Sequence, residues 1–294
     1  FVGNATAEVP DLVTLGNYWL EKAIQQKLIQ PLDINQLKNW HQLPSKWREL
    51  VTDHSSESGV QKAWGAPYRW GTTVIAYRQD ILKERGLKPP TDWNDLWRSD
   101  LRGQISLLDQ PREVIGLVLK KLGKSYNTAD LASVPALKAT LESLRPQVKY
   151  YSSDSYLQPL LLGDTWLAVG WSEDVLAVMK RSPTIAAVVP NSGTALWAEL
   201  WVRPASDTPA ISPLVTEWID FCWKPQIASQ LSILSGASSP IILKNRENLP
   251  PSLRSNPLLL PDEKTLESSE FLQPLRQSTV QQYQDLWKFL RQFG

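Results

Sequence analysis

The sequence predicts an α/β protein built as two lobes, and three observations carry the expectation. A chain of 294 residues with 42% hydrophobic and 21% charged content has enough apolar surface for two cores. Short apolar runs alternate with segments of helical period, the pattern of sheets covered by helices. No internal repeat, low-complexity tract or flexible linker interrupts the chain, so two lobes must be joined by strands rather than by a tether.

Asp11 to Leu15 is a short apolar run closed by Gly16-Asn17 and reads as a buried strand ending in a turn. A helix is expected from Tyr18, with Trp19, Leu20, Ala23 and Ile24 on one side. Residues 31–62 are polar and irregular, with weak helical pieces. From Ala66 to Tyr77 a turn leads into a β-branched strand. Gln79 to Leu87 reads as a helix closed by Gly86, and Thr91 as the cap of a helical segment from Asp92 to Trp97.

Gln104 to Leu108 is the next strand. Pro111 then sits at a first helical position, Val114, Leu117, Val118 and Leu122 form a stripe, and Gly123 ends the helix. Leu167 to Gly170 is a strand that runs through Trp171 and the cap Ser172 into a helix with Val175, Leu176 and Met179. Ile185 to Val189 is a short strand. In Leu196 to Val202 the alternation is strict, with Leu196, Ala198, Leu200 and Val202 on one face and Trp197, Glu199 and Trp201 on the other. From Pro213 onward the pattern is mostly helical, broken at Ser235 to Pro240 and at Leu249 to Pro261.

Composition removes several classes of function. The formal charge of +1 gives no global field for nucleic acid or an anionic membrane. Cys222 is the single cysteine and lies in the apolar stretch Trp218 to Trp223, so it reads as a packed, inert thiol, and disulfides and cysteine metal sites are excluded. The two histidines, His41 and His54, sit in polar surroundings, which does not suit zinc, and no cofactor is expected. No run of 18 apolar residues is long enough to span a bilayer. The opening Phe1-Val-Gly-Asn lacks a charged and apolar export signal, which is expected either to have been removed or to lie outside this sequence. Fourteen tryptophans exceed what cores need and suggest rings facing a ligand.

The run Asp11 to Leu20, then Pro67-Tyr-Arg-Trp-Gly-Thr-Thr, Trp93-Asn-Asp-Leu-Trp and Ile105 to Thr128 together resemble the spermidine/putrescine-binding proteins of bacterial ABC transporters. The most specific match is the Arg112-Glu113 segment running to Leu122-Gly123 and Asn127-Thr128. The resemblance implies a type 2 periplasmic-binding fold, two α/β lobes joined by crossover strands with ligand in the interlobe cleft. Lobe one would hold residues 1–77 and 198–243, and lobe two residues 78–197 and 244–294. It also implies a non-enzyme, a monomer located outside the cytoplasmic membrane that partners a transporter permease; a lipid anchor at the removed N-terminus is compatible with this. Relatives open with a further strand and helix whose aromatic walls the ligand. That unit is absent here, so the native chain is expected to be longer at its N-terminus.

A polyamine needs aromatic walls for its methylenes and carboxylates for its ammonium groups. The resemblance places Glu113 as a ligand carboxylate, although an acid in a first helical turn also favours the helix dipole and fits a capping box with Gln110. Gln110 itself stands where spermidine binders carry an aspartate, which removes one ammonium anchor. Trp171 matches a stacking tryptophan and Asp174 an acid of putrescine binders; the alternative is a staple and helix-capping acids. Trp197 and Glu199 match the aromatic and carboxylate of a crossover strand, the alternative being an amphipathic strand. Tyr18 follows a strand's carboxyl end, where α/β sheets hold ligands, or packs a helix start. Aromatic and polar residues expected near Ala237 and Leu272 are lost, and Ser235 and Ser238 are placed to supply hydrogen bonds there.

Three other readings compete. Gly170-Trp-Ser172-Glu-Asp174 begins like a nucleophile elbow but ends on an aspartate, and both histidines precede the serine by more than a hundred residues. Paired carboxylates for glycoside hydrolysis draw no support from the resemblance. A tryptophan-lined site also suits a sugar or another organic cation, and the fold also serves sensor or assembly roles.

Overall fold

The computed structural model describes residues 9–53, 62–206 and 212–292. His54 and the opening Phe1 to Asn4 lie outside the described residues. In chain order the strands are β1 Val13–Gly16, β2 Ile29–Gln30, β3 Thr52–Asp53, β4 Lys62–Ala63, β5 Ala66–Arg78, β6 Ile105–Leu107, β7 Val148–Tyr151, β8 Leu167–Trp171, β9 Ile185–Val188, β10 Ala195–Pro204 and β11 Glu270–Phe271. Two compact units emerge: unit 1 is Phe1–Trp70 with Trp197–Arg254, and unit 2 is Gly71–Leu196 with Ser255–Gly294. The chain therefore passes between units inside β5, inside β10, and once more at 254/255.

In unit 2, β5 pairs antiparallel with β8, from Thr73 opposite Trp171 to Tyr77 opposite Leu167. It also pairs antiparallel with β9, from Ile75 opposite Val188 to Arg78 opposite Ile185. β6 lies parallel to both β8 and β7. β11, which the hydrophobic pattern did not reveal in only two residues, runs parallel to the start of β10. The helix Pro111–Lys121 starts with proline at its first turn, where a missing N–H costs nothing. It ends at Gly123, whose φ of 69° lets the chain turn back while Lys124 N donates to Leu119 O at 2.8 Å. Its apolar stripe is wider than expected. Glu113 through Leu119 are all buried, because the core packs around Ile115 and Leu119 as well as Val114 and Val118.

In unit 1, β1 runs antiparallel to β10 from Val13 opposite Val202 to Gly16 opposite Glu199, and β2 continues along the far end of β10. The alternating face of β10 behaves as its pattern dictates: Ala198, Leu200 and Val202 are buried and Trp201 is half-buried. Trp47 meets Trp70 edge-on at 5.2 Å, and Trp223 Nε1 donates to Pro67 O at 2.8 Å. Cys222 is buried and desolvation pushes its thiol up to about 11, so it stays protonated and inert.

Several local expectations are corrected. Ala66 is already in β5, which runs thirteen residues with no turn at Pro67. Asp92, rather than Thr91, caps the 3₁₀ segment Trp93–Trp97 in a capping box with Asp95, whose carboxylate accepts from both Asp92 N and Thr91 N. Ser172 is the first helical residue and Trp171 the cap.

The irregular stretch after β2 is ordered by a distant side chain. Asp220, 9% exposed on the helix Pro213–Cys222, accepts from Lys38 N at 3.0 Å and Asn39 N at 2.9 Å, and Asn39 Nδ2 donates back to Asp220 O. Asp220→Ala strands two backbone donors and is expected to lower stability by about 1–3 kcal/mol, read as a shift of the urea midpoint at constant m.

Candidate functional site

The helix Pro111–Lys121 carries Glu113 in its first turn, but its carboxylate does not close a capping box. Gln110 occupies the cap position without a side-chain bond to the helix and is exposed. Glu113 turns inward, is 6% exposed, and accepts from Thr73 Oγ1 at 2.9 Å and from Trp171 Nε1 at 3.4 Å. The register of β5 against β8 sets Thr73 opposite Trp171, so one cross-strand pair supplies both donors. No cation closes on the carboxylate among the described residues. The neighbouring Arg112 spends its guanidinium elsewhere, on Tyr126 O, Tyr283 Oη, Asn127 Oδ1 and Gln273 O. Desolvation raises the Glu113 pKa, and the Thr73 and Trp171 bonds and the Arg112 charge only partly oppose it.

Tyr156 organises the next part of unit 2. Its hydroxyl accepts from Trp171 N at 3.1 Å and donates to Asp174 Oδ2 at 2.9 Å, and its ring meets the Trp171 indole edge-on at 6.1 Å. The ring lies so close to Gly170 that a Cβ there would stand 1.8 Å from Tyr156 Cε2, which is why glycine precedes the tryptophan. Burial, and after it the Asp174 charge, pushes the Tyr156 phenol far above its ordinary value, so it remains a donor. Asp174 is exposed. Ser172 is buried, its oxygen accepting from Thr72 N at 3.1 Å, and no histidine belongs to unit 2. A serine nucleophile is not assembled there.

In unit 1, β10 presents Trp197, Glu199 and Trp201 on the face away from the core. Tyr68 Oη at 2.6 Å and Arg69 Nε at 2.7 Å both bond Glu199 Oε2. Tyr68 stacks on Trp201 at 4.3 Å with 19° between planes, and Trp201 meets Trp218 at 6.1 Å. Burial works to raise the Glu199 pKa, but the Arg69 and Tyr68 bonds outweigh it and the carboxyl lies below its ordinary value. Trp197 Nε1 is buried and has no hydrogen-bond partner among the described residues. Tyr18 is exposed on the 3₁₀ turn after β1, edge-on to Trp19 at 5.5 Å. Ser238 is buried; its backbone exchanges hydrogen bonds with that of Trp70.

Unit 2 thus brings Glu113, Trp171 and Asp174 together around Thr73 and Tyr156, and unit 1 brings Glu199 to Tyr68 and Arg69. Thr73, Tyr156, Tyr68 and Arg69 were not singled out from sequence. Three of the four lie on β5, in the run Pro67 to Thr73 that carries the resemblance, but their partners are 40, 130 and 131 residues away, and no local period announces that.

The raised Glu113 pKa has a thermodynamic consequence. Between the ordinary carboxylate range and the raised value the folded protein binds more protons at this group than the unfolded chain, so its contribution to stability falls as pH rises. The stability of the wild type minus that of Glu113→Gln is therefore expected to decline across this window, by up to about 1.4 kcal/mol per pH unit, and to level off above it. Denaturant titrations of both proteins across pH measure this difference; a flat difference contradicts it.

Residues 7–269 match the family of bacterial extracellular solute-binding proteins. The spermidine/putrescine-binding periplasmic protein of Escherichia coli K12 is 28% identical over 261 residues, 89% of this chain and 72% of the relative. The putrescine-binding periplasmic protein of the same organism is 30% identical over 210 residues, 66% of this chain and 55% of the relative. Among solved structures, the spermidine/putrescine ABC transporter substrate-binding protein of Streptococcus pneumoniae matches with a TM-score of 0.85 at 24% identity, over 97% of this chain and 84% of that one. A Treponema pallidum lipoprotein matches at 0.74 and 18% identity, over 98% and 84%. The architecture is therefore the periplasmic-binding type expected from the sequence, and the chain belongs to the bacterial extracellular solute-binding protein family.

Proposed function

We propose that this chain is the solute-capturing component of an ABC importer, acting outside the cytoplasmic membrane on a polyamine, putrescine or spermidine, and performing no chemistry on it. The observation that carries the reading is Glu113, a buried carboxylate with a hydroxyl and an indole N–H as donors and no protein cation among the described residues. Burying such a charge is unfavourable unless a cation completes it, and an ammonium group does so. The Trp171 indole beside it offers a surface for methylenes and a cation–π contact of about 0.5–2 kcal/mol. Asp174, in the first turn of the helix Ser172–Met179 that follows Trp171, supplies a second acid. The names of the relatives, spermidine/putrescine and putrescine binders, support the same solute class. Capture then shifts the population toward the liganded conformer, which a permease partner recognises.

Isothermal titration with putrescine and spermidine is expected to give micromolar binding, about −8 kcal/mol, that weakens with salt. Glu113→Gln should weaken it by about 1.5–3 kcal/mol. Because the unliganded carboxyl is raised and an ammonium partner favours its ionised form, binding releases a proton, and affinity rises with pH until the raised pKa is passed. No heat with either amine from micromolar to millimolar concentration sinks the polyamine reading.

A second reading, an uncharged ring solute such as a sugar, is favoured by the Tyr68–Trp201 stack on unit 1. In that case Glu113→Gln and Asp174→Asn leave affinity unchanged.

A further inference from the structure

Within unit 2 the acids Glu113 and Asp174 are already partly engaged by protein donors, and Tyr156 settles which oxygen stays open. Glu113 takes the Thr73 hydroxyl on Oε2 at 2.9 Å and the Trp171 indole N–H on Oε1 at 3.4 Å, so each of its oxygens carries a donor. Asp174 takes the Tyr156 hydroxyl on Oδ2 at 2.9 Å, and its Oδ1 has no donor among the described residues. The direction of that bond is fixed. Tyr156 Oη accepts the backbone N–H of Trp171 at 3.1 Å, and an amide N–H can only donate, so the one phenolic proton goes to Asp174. The ring has no room to drift: it is 2% exposed and lies against Gly170, where a Cβ would stand 1.8 Å from Tyr156 Cε2. Asp174 is exposed, so the buried phenol reaches its carboxylate from the protein side.

We infer that Tyr156 sets the specificity of unit 2: by engaging one oxygen of Asp174 it leaves a single open carboxylate oxygen, which takes a compact ammonium in preference to a guanidinium. The inference rests on the polyamine reading above and deepens it, since that reading alone does not choose between amine and guanidino ends. A guanidinium is a flat fork that gains most when two parallel N–H groups meet both oxygens of one carboxylate. Neither acid of unit 2 offers such a pair, because three of the four oxygens already accept from Thr73, Trp171 or Tyr156. An ammonium is a point charge whose three N–H groups bond to oxygens singly. Tyr156 acts through Asp174, so it is a positioning residue. Its signature is a change in discrimination that requires the Asp174 carboxylate.

Isothermal titration compares putrescine with its bis-guanidino analogue, which has the same methylene chain and a guanidinium at each end, so that either orientation brings one to unit 2. The wild type is expected to bind putrescine about tenfold more tightly than the analogue, the scale of one charge-assisted hydrogen bond. Tyr156→Phe frees the second Asp174 oxygen and should narrow that ratio about tenfold. Asp174→Glu, at an exposed position, carries the carboxylate one methylene away from the phenol and should narrow the ratio in the same sense. It decides the matter if thermal melting shows Tyr156→Phe unfolded, since loss of the hydroxyl leaves Trp171 N unpaired. In an Asp174→Asn background Tyr156→Phe should leave the ratio unmoved, because no second carboxylate oxygen remains to be freed. An unchanged ratio in both Tyr156→Phe and Asp174→Glu overturns the inference. So does a wild type that binds the analogue as tightly as putrescine, or a Tyr156→Phe effect that persists beside Asp174→Asn. Putrescine binding with any of these outcomes removes the inference alone. Absence of putrescine binding by the wild type also removes it, and absence of spermidine binding as well removes the polyamine reading with it.

Discussion

The antiparallel register that sets Thr73 opposite Trp171 decides what unit 2 can do. It delivers a hydroxyl and an indole N–H to one carboxylate, and it can do so only because the helix Pro111–Lys121 turns its third residue inward. Two neighbours hold that arrangement. Arg112 points away from Glu113 and ties the helix start to Asn127, Gln273 and Tyr283, with its guanidinium 5.1 Å from the Tyr283 ring centroid. Tyr156 leans on Gly170 and fixes the backbone of Trp171. The acid is thus supplied with two donors but no ion pair with its adjacent arginine, an arrangement that costs stability.

The same arginine ties together the two ends of the motif from Arg112 to Asn127 that carries the resemblance. Arg112 and Asn127 are structural partners at 2.9 Å, and Glu113 between them carries the charge. Patterns that depend on neighbours in sequence were legible: the strict alternation of β10, the proline start and glycine end of the helix after β6, and the packed Cys222 all follow from local period and backbone chemistry. Patterns that depend on distant partners were not. Glu113 in a first turn fitted a capping box equally well until the structure showed its carboxylate turned toward β5. Asp220 lies inside the apolar stretch Trp218 to Trp223, yet it orders a segment some 180 residues earlier. Thr91 and Asp92 are adjacent and both good caps, and the choice was made by Asp95 reaching back to the Thr91 and Asp92 N–H groups.

Glu113 in unit 2 and Glu199 in unit 1 respond to their surroundings in opposite senses. Burial governs Glu113, where neutral donors soften but do not cancel desolvation, and its pKa rises. Glu199 is also penalised by burial, but a guanidinium and a phenol overcome the penalty and its pKa falls. A carboxylate lacking a cation is the group that gains most from an arriving ammonium, whereas one already paired gains only the difference between two similar ion pairs. Counting acids in the sequence therefore overstates the unpaired negative charge, because each acid counts only after its protein partners have been subtracted. That subtraction needs Arg69 and Glu199 in contact across 130 residues of chain, and it is made by the packing of β10 and the start of β5 within unit 1.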